Sequence, residues 1–114
     1  MNDKLKLIAD HYGIEIQAVK LAEECAEFSA ATTKILYYKA QIESGSSTKF
    51  GDAIFGELFE AREKSTEELA DVLLMARQVE YLADQIPELR AKINKHMEAK
   101  IERQLKRMEE EKRK

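Results

Sequence analysis

At 114 residues the chain has room for one domain. Hydrophobic residues make up 44% and charged residues 36%, which excludes both a disordered chain and a membrane-embedded one. The net charge of −3 offers no general basic field, so nucleic acid is not an expected partner.

No apolar run approaches the ~20 residues needed to span a bilayer, and no basic-then-apolar start reads as a signal peptide. The single cysteine, Cys25, cannot close an internal disulfide. Together these lead us to expect a cytoplasmic protein that has no membrane partner. With four glycines and one proline, helix is the default between a few interruptions, and no strand-period alternation is long enough for a sheet.

In chain order, Asp3 is the expected cap of a short first helix that Gly13 stops. A long helix follows from about Ile14 to Glu43, roughly 45 Å at ~1.5 Å per residue. Ser44-Gly45-Ser46-Ser47-Thr48 reads as a loop, and Gly51 and Gly56 weaken the segment after it. Residues 52–63 read as a short helix anchored by Ile54, Phe55, Leu58 and Phe59. Ser65-Thr66-Glu67-Glu68 has the form of a helix start, which predicts a further helix from about Thr66 to Gln85. Pro87 suits the first turn of a last helix whose end, about 108–114, is charged all round and expected to be exposed. The expected fold is an all-α bundle of four to five helices in a single domain, 1–114.

Placed at about 100° per residue, several carboxylates fall on apolar faces. Leu21, Cys25, Phe28, Thr32 and Ile35 define a stripe on the long helix, with Glu24 on it and Glu27 at its edge. Leu69, Val72, Met75, Ala76 and Val79 define another on the later helix, with Glu68 on it and Asp71 at its margin. Glu23 and Glu67 point outward. A buried carboxylate is protonated, paired or metal-bound. Four converging on one point call for a divalent cation, and an all-oxygen set suits magnesium or manganese. A di-iron site would need Glu-x-x-His pairs, but Ile8 and Ile93 stand three residues before His11 and His96.

The plainer alternatives stay open. A Glu-x-x-Glu pair on a helix is usually a solvated face. Glu68 either completes a capping box with Ser65 or, with Thr66 as the cap, is free to act as a ligand.

Leu21-Ala22-Glu23-Glu24-Cys25-Ala26-Glu27-Phe28 followed by Glu67-Glu68-Leu69-Ala70-Asp71-Val72-Leu73 resembles the MazG-like superfamily of all-α nucleotide pyrophosphohydrolases. That group includes dimeric dUTPases and phosphoribosyl-ATP pyrophosphohydrolases. The resemblance covers roughly residues 14–107.

It implies that Glu24, Glu27, Glu68 and Asp71 bind magnesium, with manganese as a substitute. Glu24 and Glu27 would also serve catalysis, and the reaction would take a nucleoside triphosphate and water to monophosphate and pyrophosphate. Lys100, Arg103 and Arg107 on the last helix would meet the substrate phosphates, and the assembly would be a homodimer or homotetramer. The stretch from 28 to 67 is longer than in compact members, and the basic pattern of the last helix is blurred, so the substrate stays open. Lys34, Tyr37 and Tyr38 either line a base pocket or pack. The competing expectation is a non-catalytic helical protein, either an interaction module or a nucleotide sensor.

Overall fold

A computed structural model describes residues 2–45 and 53–113. Four helices account for nearly all of these residues, and no strand occurs among them. They are α1 (Asp3–Tyr12), α2 (Ile14–Glu43), α3 (Ala53–Asp84) and α4 (Pro87–Lys112). The expected turn residues Ser46, Ser47, Thr48 and Gly51 lie outside the described residues.

The cap of α1 is Asn2 rather than Asp3: its side-chain oxygen accepts from the Lys4 amide at 2.8 Å, which leaves Asp3 in the first turn. Gly13 ends α1 and starts α2 with φ 85° and ψ 167°, a conformation essentially confined to glycine. The amide of Gly13 donates to Ala9 and its carbonyl accepts from Gln17, so one residue closes both helix ends.

The larger departure from the sequence reading is α3. The expected short helix over 52–63 and the helix from Thr66 are one uninterrupted helix of 32 residues. The Ser65-Thr66 pair does not cap anything. The Thr66 hydroxyl donates back to the Arg62 carbonyl at 2.9 Å, and Ser65 is buried against Thr32, hydroxyl to hydroxyl at 3.1 Å. Both hydroxyls are satisfied inside a continuous helix, so the capping-box alternative for Glu68 falls away.

The packed part of the bundle is the hairpin of α2 and α3, with α1 against α3. On α2 the inward positions are Gln17, Leu21, Glu24, Phe28, Ala31, Ile35, Tyr38 and Ile42, alternating steps of four and three. On α3 they are Ile54, Leu58, Ala61, Ser65, Glu68, Val72, Met75, Val79 and Leu82, with the same alternation. This spacing keeps one seam facing the partner helix along its whole length. The Gln17–Gln78 and Thr32–Ser65 contacts fix the two helices as antiparallel. Four expected stripe residues fall off the seam: Cys25 and Leu69 are exposed, and Thr32 and Ala76 are half-buried at its edges.

Tyr81 ties α1 to α3 by donating to Asp10 at 3.0 Å. At the turn into α4, Arg90 reaches back to Glu80 at 3.1 Å and Asp84 at 3.3 Å. Beyond Leu89, Arg90 and Ile93, which are half-buried, α4 stands free, and none of its residues is buried. The radius of gyration, 19.3 Å, is well above the ~13 Å of a compact domain of this length. No helix among the described residues is long and apolar enough to cross a membrane.

Candidate metal centre

The seam positions of the hairpin carry an acidic layer. Glu24 from α2 and Glu68 from α3 are 9% and 5% exposed, as buried as the apolar residues beside them. Asp71, one turn after Glu68, is exposed at the rim. One carboxylate oxygen from each of the three lies within 4.8 Å of the others. Opposite ligands on an octahedral magnesium ion are separated by ~4.2 Å, so small side-chain rotations bring the set to bonding distance.

The fit to a cation rests on how these oxygens are satisfied. Oε1 of Glu68 receives the Lys64 ammonium at 2.9 Å, and Oε1 of Glu24 has Lys20 at 3.6 Å. Each lysine stands one turn before its glutamate. The second oxygen of each carboxylate, Oε2 of Glu24 and of Glu68, is buried with no hydrogen-bond partner. A buried polar atom left unsatisfied costs ~1–3 kcal/mol, and more when it is charged. Hard carboxylate oxygens left without donors suit a hard divalent cation such as magnesium or manganese.

Glu27, the fourth expected ligand, is exposed and stands outside this tight group. It nonetheless shares the field of the group. The anions of Glu24 and then Glu68 hold its carboxyl above the usual carboxylate range. Glu68 moves the other way, because the hydrogen bond from Lys64 holds it below that range.

Beside the acidic layer the hairpin opens into a cleft of about 640 Å³, lined on one side by Glu27, Lys34 and Tyr38 and on the other by Glu57, Lys64 and Glu68. Small residues make the space, since Ala30, Ala31 and Ala61 form its floor. Of the three residues suspected of lining a pocket, Lys34 and Tyr38 do so. Tyr37 does not line this cleft but a smaller neighbouring one with Gln41, Ala53 and Ile54, and its hydroxyl accepts from Gln41 at 2.7 Å. Lys100, Arg103 and Arg107 are exposed on α4, and none of them lines this cleft.

The sequence reading passed over Lys20 and Lys64. The signal was present in the repeated pattern Lys-x-x-x-Glu-x-x-acid, at 20–27 and again at 64–71, because side chains four apart meet on a helix. Comparison with known proteins adds no name to this arrangement: no protein-family model, curated protein or solved structure matches the chain.

Proposed function

We propose that the protein is a magnesium-dependent nucleoside triphosphate pyrophosphohydrolase, with manganese able to substitute. The observation that carries this reading is the pair of orphaned carboxylate oxygens on Glu24 and Glu68, beside Asp71, with Glu68 also lining the adjacent cleft. The motif resemblance to MazG-like enzymes supplies the reaction class.

Glu24, Glu68 and Asp71 hold the cation, and Glu27 completes the set from the cleft side. When bound, the cation neutralises phosphate charge and favours attack at the α-phosphorus. Glu27 lies on the cleft wall beside the acidic layer, a position from which its carboxylate would take a proton from the attacking water. The bond between the α-phosphorus and the bridging oxygen then breaks, releasing pyrophosphate. Incubation with a panel of triphosphates and magnesium, scored for pyrophosphate, tests the reading. Pyrophosphate and nucleoside monophosphate are the expected products. Release of inorganic phosphate, or binding without turnover, would overturn it.

The same reading includes a homo-oligomer, at least a dimer. Leu36, Tyr37, Phe55 and Phe59 are 53–64% exposed towards the loop end of the hairpin. On α4 the stripe of Met97, Ile101, Leu105 and Met108 is about half exposed and is left uncovered by the other described residues. Unpartnered apolar area on this scale marks an interface, and two-fold pairing is its commonest form. In a dimer α4 would carry Lys100, Arg103 and Arg107 to the phosphates of a neighbouring site. Light scattering should give at least twice the chain mass, and a M97E/I101E variant should lower it. A monomer with full activity would overturn the assembly.

A further inference from the structure

Lys20 and Lys64 are placed alike with respect to the acidic layer, but they face different surroundings. Lys64 lies on the cleft wall beside Glu68. Lys20 lies beyond the other end of the acidic layer, towards Gly13, in an apolar groove with Ile16, Val19 and Leu74. Each meets only the outer oxygen of its glutamate and leaves the inner one open. Neither is committed by burial, since their side chains are 53% and 61% exposed.

The charge of the cleft gives this difference a consequence. Its lining holds four carboxylates, Glu27, Glu57, Glu60 and Glu68, against the two ammonium groups of Lys34 and Lys64. A polyphosphate cannot enter such a lining favourably until a cation has balanced it. Without a cation, Lys64 is engaged with Glu68 at 2.9 Å and has little attraction left for an anion. With a cation drawing on the Glu68 carboxylate, the ammonium is released at the cleft wall, beside the volume a phosphate would fill.

We propose that Lys64 is an exchangeable counter-ion: it neutralises Glu68 in the metal-free protein and turns to the ligand's phosphate once a divalent cation is bound. Binding is thereby ordered, cation before polyphosphate, and Lys34 on the opposite wall is the second cationic contact. This inference rests on the acidic layer being a cation site, as proposed above.

The distinguishing property is that removing Lys64 moves the two affinities in opposite directions. Calorimetry with manganese alone, and then with inorganic pyrophosphate at fixed free manganese, reads both in wild type, K64M, K64R and K20M. Losing a neighbouring positive charge should tighten manganese binding about three- to tenfold in K64M and in K20M. Losing a charge-assisted hydrogen bond should weaken pyrophosphate binding about tenfold or more in K64M alone. K64R should restore pyrophosphate affinity to within about threefold of wild type. Exposure of the side chain makes methionine tolerable, and K64Q provides the same test should K64M aggregate.

Unchanged pyrophosphate affinity in K64M would reduce Lys64 to a surface ion pair and overturn the proposal. Weaker manganese binding in K64M would do the same, by showing the lysine to be a prop for Glu68. Both leave the cation site standing. Failure of wild type to take up manganese would overturn the cation site and the proposal together.

Discussion

Two polar layers in one seam are built from similar side chains and end in different states. Gln17 and Gln78 meet inside the hairpin, with Nε2 of Gln17 donating to Oε1 of Gln78 at 2.8 Å, and Gln78 is 2% exposed. Glu24, on the same stripe of α2, and Glu68 are buried almost as deeply, yet each keeps an oxygen with no donor. An amide is donor and acceptor at once, so two of them can satisfy each other. Two carboxylates only accept. The glutamine layer is complete within the chain and sets the register of the hairpin, a role well attested for polar seam residues. The acidic layer is only half satisfied: Lys20 and Lys64 each reach one oxygen of a carboxylate and leave the other without a donor, a deficit that a bound cation would fill.

The largest effect comes from converting one layer into the other. An E24Q/E68Q variant makes the acidic layer a second glutamine layer. Manganese binding should be lost, and pyrophosphate release should fall about 100-fold or more. The metal-free protein should still melt higher, because amides at the two positions can pair with each other where each carboxylate now keeps one oxygen without a donor, although the lost ion pairs to Lys20 and Lys64 offset part of the gain. A drop in melting temperature with activity retained would show that the acids are structural, and the contrast between the layers would collapse.

The converse change tests the glutamine layer. Q78L alone leaves the Gln17 amide without its partner, and should cost about 1–3 kcal/mol in denaturant unfolding. The Q17L/Q78L pair removes both partners and should recover much of that loss, so the double-mutant cycle reads the coupling directly. Manganese affinity should be unchanged in the double variant. A large loss of metal binding would mean that the two layers are not separable.

The sequence reveals the acidic layer more readily than the glutamine layer for a physical reason. A glutamate on an apolar stripe conflicts with its surroundings strongly enough to be noticed, whereas Gln17 and Gln78 are unremarkable helix residues until paired. The helix ends at Gly13 and Pro87 were legible because a glycine-only backbone and a missing amide act locally. The continuity of α3 was not. Ser65 and Thr66 carry the composition of a helix start, and only contacts with Thr32 and Arg62 show that their hydroxyls are used inside the helix. Likewise α4 was identified as a helix, but that it stands away from the hairpin depends on tertiary packing, to which its own stripe of Met97, Ile101 and Leu105 gives no direction. Glu27 and Asp71 were placed at the edges of their stripes, and the structure leaves both exposed at the rim.

The smallest effect concerns that rim. The Glu27 carboxyl is held above the usual range chiefly by the Glu24 anion and then by Glu68, so the folded protein binds this proton more tightly than the unfolded chain does. Stability from such a group is fully present below its unfolded value and is lost as pH rises through its folded value. At neutral pH the ionised Glu27 therefore works against the metal-free fold, and E27Q should melt higher than wild type. The advantage should shrink as pH falls through the raised value of Glu27 and vanish below the ordinary carboxylate range, where wild-type Glu27 carries its own proton. Glu68 contributes with the opposite sign. Lys64 holds its carboxyl low, so that stabilisation persists until pH falls through the lowered value, below the Glu27 window. The two effects thus separate along the pH axis. The magnitude is modest because water and salt screen an exposed carboxylate. With saturating magnesium the order should reverse, since the repulsion that the glutamine relieves becomes attraction to the cation. Melting curves of both proteins from about pH 7 to about pH 3, with and without magnesium, read all of this. A difference that stays flat across that range would disconnect Glu27 from the acidic layer.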